Sequence, residues 1–303
     1  MPELPEVETI ARGLAQRVTG ESIESVWIGP RAQPFKSPAG LIASTLEGKK
    51  IVDIHRAGKH IVIDLADVGR APSPAKKSRG ARAFSSAKAR KSAVTANANK
   101  PAVSHTAQWI VHLGMTGRLL VCLPEAEPVK HTHLVASLGS GRELRFIDPR
   151  MFGKLSVHTD TFDPGGIEPL EIDEATFLTL FRGRKTFIKS ALLNQKLLRG
   201  VGNIYADESL FRAGIRPRRR ASTLTRNQLR KLYLAIKEVL QEAIALGGSS
   251  ISDYVDADGE EGFFQLQHRV YGRGGEPCLV CKTPIRRIVI TGRSSHYCPT
   301  CQK

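Results

Sequence analysis

The sequence begins MPELPEVETI, which places two prolines and three glutamates within the first eight residues. Pro2 is small enough to allow removal of the initiator methionine, and it would then present a secondary amine, which is a nucleophile. A structural interpretation is also open, because Pro5 suits the start of a helix, and Glu6 and Glu8 suit its positively polarised first turn. That helix does not account for Pro2 or Glu3, so chemistry at the N-terminus stays a hypothesis at this point.

The last 26 residues contain four of the five cysteines. They form two C-x2-C pairs separated by sixteen residues: Cys278, Cys281, Cys298 and Cys301. This spacing predicts a closed tetrahedral site for one structural Zn²⁺. Disulfides fit less well, because the chain carries no secretion signal. Between the pairs, a predicted β-hairpin turns at Thr291 and Gly292 and holds Arg293 at its tip, where a cation suits a phosphate backbone.

Residues 200–211 read GVGNIYADESLF. They begin with a glycine turn, which leads directly into a predicted helix. Backbone amides and the helix dipole make such a turn suitable for an anion, and Asn203 adds a side-chain donor. An ordinary tight connection between two helices is equally compatible with this pattern.

The chain of 303 residues has a formal net charge of +16, which indicates a polyanionic partner, most commonly nucleic acid. Residues 70–100 hold nine Lys or Arg and no acid, so we expect a disordered basic insert that extends to residue 104. The rest of the chain still carries +7. No run of 18 apolar residues and no signal pattern occurs, so we expect a cytoplasmic protein.

Elements that position these residues can be predicted from the hydrophobic pattern. An amphipathic helix follows Pro5, and alternating apolar residues up to about residue 158 predict a β-sandwich in which the insert is an enlarged hairpin loop. From about residue 170 the pattern becomes helical, and Thr225 with Gln228 forms a capping box at the start of the longest helix.

Taken together, these stretches closely resemble the formamidopyrimidine-DNA glycosylase family. The matching segments are PELPEVE, GKH at 58–60, HLGMTG at 112–117, DPRMFG at 148–153, IKSALLNQKLLRGVGNIYADESLF and the cysteine-rich C-terminus. The resemblance implies an α+β architecture: an N-terminal β-sandwich with a catalytic N-terminal helix, a helix–two-turns–helix domain and a zinc-finger hairpin. The corresponding domain bounds are 1–165, 166–262 and 263–303.

The family resemblance implies a bifunctional glycosylase and abasic-site lyase that removes oxidised purines from double-stranded DNA. It implies a monomer in the bacterial cytoplasm, associated with the nucleoid. Two alternatives stay open: an endonuclease VIII-like enzyme for oxidised pyrimidines, and a non-catalytic zinc-bearing DNA-binding protein. The second alternative would not need Pro2 or Glu3.

Site residues follow from the resemblance, position by position. Pro2 is implied as the nucleophile, Glu3 as the general acid, Lys59 as the lysine that assists β-elimination, Arg293 as the arginine of δ-elimination, and Glu6 as an orienting residue. The implied contacts to the DNA backbone are His131, Arg150, Arg184, Lys185, Lys189 and Asn203. Met115, Arg150 and Phe152 are implied to fill the space left by the extruded base. Met151 stands where family members often carry Arg. The loop 249–262 is expected to close over that base, with Ser250 as a candidate contact.

Overall fold

The computed structural model describes residues 1–68, 105–124, 129–249 and 262–303. The expected basic insert at 70–104 and Ser250 lie outside these residues. In the N-terminal half, two antiparallel four-stranded sheets have the strand orders β1-β6-β7-β5 and β2-β3-β4-β8. Their elements are α1 (Leu4–Val18), β1 (Ile23–Ile28), α2 (Ala39–Leu46), β2 (Lys49–Ala57), β3 (His60–Asp67), β4 (Ala107–His112), β5 (Arg118–Cys122), β6 (Thr132–Leu138), β7 (Glu143–Ile147) and β8 (Lys154–His158).

The C-terminal half consists of helices followed by a hairpin. Its elements are α3 (Glu174–Phe181), α4 (Ile188–Leu192), α5 (Asn203–Arg212), α6 (Arg226–Ala245), β9 (Arg286–Ile290) and β10 (Arg293–Tyr297), with short 3₁₀ helices at Ala221–Thr223 and Phe264–Gln267. The side chain of Thr225 accepts a hydrogen bond from the Gln228 amide, which confirms the predicted capping box. The predicted β-sandwich is confirmed, whereas α2 was not predicted. The division of the chain at residues 165 and 262 stays a prediction.

Helix α1 joins the two hydrophobic cores of the molecule. Its apolar residues Val7, Ile10 and Leu14 pack in the core of the sandwich. Leu4, at the start of the same helix, packs instead in the core of the helical half. The amide of Leu4 also donates to the Gly200 carbonyl at 3.1 Å. The first turn of α1 is therefore held between the two halves of the chain.

A buried ion network ties the sandwich to the segment that precedes α3. Glu168 accepts two hydrogen bonds from the guanidinium of Arg56, at 2.6 and 3.0 Å, and one from Arg199 at 3.1 Å. Arg56 also donates to Glu8 of α1 at 2.7 Å. The side chains of Arg56 and Glu168 are each only 6% exposed, so little water screens the pair.

Among the described residues, no helix is long and apolar enough to cross a membrane.

The network predicts that two isosteric substitutions lower the free energy of unfolding by very different amounts. Each of them removes a charged partner of Arg199. Glu168→Gln leaves the buried Arg56 with less compensating charge and should lower the free energy of unfolding by about 3–5 kcal/mol. Asp163, which pairs with Arg199 at 3.1 Å, is 73% exposed, so Asp163→Asn should lower it by less than about 1 kcal/mol. Urea titrations of the two variants measure both values, and equal losses would contradict this account.

Candidate active site

A cleft of about 880 Å³ lies where the sandwich, the helical half and the C-terminal hairpin meet. The sequence-predicted residues that line it are Glu3, Lys59, Met115, Phe152, Asn203 and Arg293. These residues come from both ends of the chain and from its middle, so the fold collects most of the predicted chemistry in one place.

Glu3 lies against the N-terminus of α5. Its carboxylate accepts the backbone amides of Ile204 at 3.1 Å and Tyr205 at 3.5 Å, and the residue is only 4% exposed. The helix dipole and these amides stabilise a negative charge at this point. Gly202 permits the approach, because a Cβ there would lie 2.2 Å from Cδ of Glu3. The predicted anion seat is therefore filled by a carboxylate of the protein itself.

Glu6 holds the N-terminal segment in position. Its carboxylate accepts the Glu3 amide at 2.7 Å and the Ser249 amide at 2.8 Å, and it also accepts the hydroxyl of Tyr205. Burial raises the pKa of Glu6, and the neighbouring charge of Glu3 raises it further. These contacts agree with an orienting role for Glu6. Gly248 has φ of +84° and would bring a Cβ to 2.9 Å from Glu6, so this turn requires glycine.

Pro2 is buried beneath Met1 in the structure, and Met1 lines the cleft. Burial lowers the pKa of the α-amine that the chain carries here, whereas the nearby charges of Glu3 and Glu6 raise it. An amine at the start of the chain is thus placed in a partly desolvated position beside two carboxylates. Desolvation favours the unprotonated form, which is the nucleophilic one.

Lys59 occupies a two-residue turn between β2 and β3. Gly58, with φ of +61°, takes the first turn position, as in a type II′ hairpin. The lysine is only 8% exposed. Burial lowers the pKa of its ammonium, Glu3 and Glu6 act in the opposite direction, and Arg293 lowers it further. Lys59 is therefore buried, whereas a lysine at a hairpin tip is ordinarily exposed to solvent.

Arg293 stands at the tip of the C-terminal hairpin, as predicted. The turn residues Thr291 and Gly292 have φ of +49° and +75°, which is the two-residue geometry that matches the strand twist. Arg293 lines the cleft, and its charge acts on Lys59. The cleft therefore presents two cations from two different halves of the molecule.

Met115 and Phe152 project from two adjoining turns of the sandwich, where they are 39% and 51% exposed. The turns lie so close that a Cβ at Gly114 would meet the Gly153 amide nitrogen at 2.4 Å. Asp148 orders the second turn by accepting the Gly153 amide at 2.7 Å. The guanidinium carbon of Arg150 lies 5.0 Å from the centre of the Phe152 ring. The three residues thus form one exposed wedge beside the cleft.

The four C-terminal cysteines converge at the base of the hairpin. Their sulfur atoms all lie within 4.8 Å of one another, with Cys281 and Cys298 3.4 Å apart and Cys278 and Cys301 3.9 Å apart. A tetrahedral zinc site with Zn–S bonds of about 2.3 Å places its sulfurs about 3.8 Å apart. The four thiolates therefore suit one structural zinc ion.

Three family sequence models match this chain in succession. The Formamidopyrimidine-DNA glycosylase N-terminal domain matches residues 1–155, the Formamidopyrimidine-DNA glycosylase H2TH domain matches residues 166–255, and the zinc finger found in FPG and IleRS matches residues 275–303. The chain belongs to the formamidopyrimidine-DNA glycosylase family.

Individual relatives agree with this assignment over their whole length. A formamidopyrimidine-DNA glycosylase of Solibacter usitatus is 45% identical, with 100% of both chains covered. The crystal structure of MutM (Fpg) from Thermus thermophilus is 36% identical and superimposes with a TM-score of 0.78 over 99% of this chain and 98% of that one. Lactococcus lactis Fpg, in complex with DNA containing an oxidised pyrimidine, is 32% identical, with a TM-score of 0.81 and 100% of both chains covered.

Some residues implied by the family resemblance lie away from the cleft. His131 is exposed at the start of β6, and its carbonyl accepts the Asp148 amide at 3.1 Å, so it adjoins the turn that carries Arg150. Arg184 and Lys185 lie in the loop after α3, and Arg184 donates to the Leu180 carbonyl. Neither of these two lines the cleft.

Lys189, which the resemblance implies as a backbone contact, is completely buried in this structure. Its ammonium pairs with Asp207 at 2.7 Å and donates to the Ser294 carbonyl and the Ser295 hydroxyl, both at 2.8 Å. Ser294 follows Arg293 directly, so Lys189 anchors the strand that carries this arginine. From the sequence, Lys189 is recognisable as a lysine in a helical segment. Its burial, which determines its role, is not recognisable there.

Sequence reasoning also missed residues that shape the cleft. Gln195 donates to the Val201 carbonyl at 2.8 Å and accepts the Gly200 amide at 2.8 Å, which orders the turn before α5. His60 and His112 lie on the sandwich wall with ring centres 4.9 Å apart, and burial lowers the pKa of each to about 4. The glycine turn itself was recognised, but nothing in the sequence marks Gln195 as its support.

The buried ion pair between Lys189 and Asp207 predicts that Lys189→Met destabilises the protein, because the charge of Asp207 is then left without its partner. The free energy of unfolding should fall by about 3–5 kcal/mol. The double variant Lys189→Met/Asp207→Asn should recover a substantial part of this loss, because it leaves no lone buried charge. Chemical denaturation of the single and double variants measures the recovery. A double variant as unstable as the sum of its single changes would contradict the pairing.

Proposed function

We propose that this protein excises oxidised purines, such as 8-oxoguanine and formamidopyrimidines, from double-stranded DNA and then cleaves the strand as a lyase. The observation that carries the proposal is the placement of the chain's start, Glu3 and Lys59 together in a cleft that Arg293 also lines. A non-catalytic DNA-binding protein has no use for a desolvated amine beside two buried carboxylates. We also propose that it acts as a monomer on the bacterial nucleoid.

The first stage is base release. After removal of Met1, the nitrogen of Pro2 attacks C1′ of the damaged nucleotide, and the bond from C1′ to the base breaks. Glu3 takes up the proton that the nitrogen loses and donates it to the ring oxygen as the sugar opens, while the released base takes a proton from water. The nitrogen and C1′ become joined in a cationic iminium. Burial lowers the pKa of the Met1 α-amine at this end of the chain, and the same burial would favour the unprotonated, nucleophilic form of the Pro2 amine. Glu6 holds the segment through its contacts to Tyr205 and Ser249.

The second stage is strand cleavage. The iminium draws electrons from C2′, so a proton leaves C2′ and the bond from C3′ to its phosphate oxygen breaks. Elimination at the other side then releases the 5′ phosphate. Lys59 has a lowered pKa and lies beside the same carboxylates, which suits assistance of the first elimination. Arg293 supplies a cation for the phosphates, and Asn203 supplies a donor at the start of α5.

Access to a base inside a duplex requires that the base be flipped out of the stack. Met115, Phe152 and Arg150 form an exposed wedge next to the cleft and would occupy the space left in the helix. His131, Arg184 and Lys185 would contact the backbone farther from the lesion. Residues of the loop 249–262 would cover the extruded base. These roles extend the proposal to residues outside the cleft.

Borohydride trapping tests the chemistry directly. The purified protein should begin at Pro2, and reduction in the presence of a duplex containing 8-oxoguanine should convert the iminium to a stable amine that links protein and DNA. Intact mass and gel analysis measure the two results. A duplex with an oxidised pyrimidine serves as the comparison, and stronger trapping there would favour the alternative specificity. Active protein that retains Met1 would refute the mechanism.

Glu3→Gln should lower the single-turnover rate of base excision by about 10²–10⁴-fold, because the amide cannot donate the proton. Binding to lesion DNA should change little. Cleavage at a preformed abasic site should persist in part, since no base has to leave. Equal losses on both substrates would contradict a role for Glu3 in base release.

Gly202→Ala tests whether the position of Glu3 matters as well as its chemistry. The added Cβ would lie 2.2 Å from the Glu3 carboxyl carbon and must displace it, although φ at this residue suits alanine. We expect excision to fall at least about tenfold while the fold is kept, by analogy with other misplaced catalytic groups. Gly40→Ala is the matched control, since a Cβ there meets nothing within 4 Å. Unchanged excision by Gly202→Ala would show that the close approach is not needed.

Loss of zinc should remove Arg293 from the cleft. Cys298→Ser leaves three thiolates, so the hairpin loses the ion that stabilises its base. Affinity for lesion DNA should fall about 10–100-fold, the value of one charged hydrogen-bonded contact or more. Metal content and fluorescence anisotropy give the two measurements. A zinc-free variant that binds DNA as tightly as the parent would contradict a role for the finger in binding.

A further inference from the structure

The outer face of the sheet β2-β3-β4-β8 carries a cluster of imidazole and carboxylate groups that the cleft does not use. Strand β2 has a register shift between Ile51, which pairs with Leu65, and Asp53, which pairs with Asp64. The extra residue at this bulge turns Asp53 to the same face as Asp64, opposite to the buried Ile51 and Ile54. His55, two residues farther along β2, lies on this face too.

The donor atoms of this cluster are close enough to share one ion. Nδ1 of His55 lies 3.9 Å from a carboxylate oxygen of Asp53 and 3.5 Å from one of Asp64, and one donor atom from each of the three residues lies within 4.8 Å of the others. The other oxygen of Asp64 lies 3.7 Å from Nδ1 of His105. A metal with bonds of about 2.1 Å places neighbouring donors about 3.0–3.4 Å apart. Small side-chain movements bring these groups to that spacing.

Asp64 is oriented as ligating carboxylates commonly are. It is 5% exposed, and Nε2 of Gln108 donates to it at 2.6 Å. The amide of Gln108 is itself fixed, because its oxygen accepts the Phe162 amide at 2.6 Å. Such supporting hydrogen bonds hold a ligand in place before the ion arrives. Two carboxylates on directly paired strand positions repel each other, and a cation between them removes this repulsion.

We propose that Asp53, His55 and Asp64 bind one divalent transition-metal ion, with His105 as the adjacent fourth donor. This mixture of imidazole and carboxylate favours Zn²⁺ and its neighbours over Mg²⁺, which prefers oxygen ligands alone. The site is separate from the four cysteines, and none of its four residues lines the cleft. The protein would then bind two zinc ions per chain.

The position of the site gives the ion a structural role. Asp64 lies near the end of β3, and His105 lies just before β4, so the two residues stand on either side of the basic segment 69–104. An ion bound by both would join the ends of this long segment and connect it to β2. Closing a long loop stabilises the folded chain by restricting the unfolded one. The inferred site is therefore a clamp at the base of the insertion.

Metal counting on the full chain tests the proposal. Protein with its cysteine site loaded is dialysed against Zn²⁺ or Mg²⁺, and bound metal is measured by elemental analysis and native mass spectrometry. We expect two zinc ions per wild-type chain and one in His55→Asn, whose side chain is 42% exposed and whose loss the fold should tolerate. Mg²⁺ should add nothing. The second ion should also raise the thermal midpoint of the wild-type protein and not that of His55→Asn.

His158→Asn is the matched control. His158 lies exposed on the same face of the sheet, opposite Gln108, and its ring contacts Ser156 and Phe162 rather than Asp53, His55 or Asp64. It should keep two ions, and a thiol-reactivity assay should show that the cysteine site stays loaded in every variant. Asp64→Asn should lose the second ion as His55→Asn does, with excision activity unchanged in both. A wild-type chain with a single zinc ion, or equal metal content in His55→Asn and His158→Asn, would overturn the proposal.

Discussion

The structure depends above all on the burial of two carboxylates from the first turn of the chain. Glu3 and Glu6 are 4% and 1% exposed, and a buried carboxylate is stable only where hydrogen bonds replace its water. The amides at the start of α5 satisfy Glu3, while Tyr205 and the Ser249 amide satisfy Glu6. All of these partners belong to the helical half. The two halves must therefore come together in one arrangement before the N-terminal segment can be buried.

Helix α5 carries this constraint onward to the C-terminal hairpin. Two successive acids follow its first turn: Asp207 pairs with Lys189 and accepts the His296 amide at 2.8 Å, and Glu208 accepts three backbone amides at residues 269–271. Burial raises the pKa of Glu208, and the three amides oppose that rise. One helix thus fixes the carboxylate of Glu3 at its N-terminus and the hairpin that carries Arg293 along its side. The zinc site stabilises the base of the hairpin, and Lys189 fixes its tip.

The sequence was sufficient where local chemistry determines structure. The capping box at Thr225, the turn at Thr291 and Gly292, and the spacing of the cysteines are local patterns, and each leads to the expected element. The sequence was insufficient where the burial of a side chain determines its role. Burial lowers the pKa of both Lys59 and Lys189, yet Lys59 lines the cleft whereas Lys189 lies beneath a hairpin 105 residues away in the chain. Contacts such as that of Gln195 with the glycine turn depend on tertiary packing, which no local spacing encodes.

The same burial that stabilises the assembly also prepares the cleft for chemistry. Desolvation lowers the pKa of the N-terminal amine and of Lys59, whereas the two carboxylates act in the opposite direction on both. Because Glu3 is held by the amides of Ile204 and Tyr205, it can attract a cation without being displaced by it. A cationic intermediate formed at the start of the chain would therefore arise beside an anion already in place. Electrostatic stabilisation of this kind needs no rearrangement at the moment of reaction, since the folding of α1 against α5 has already fixed the groups.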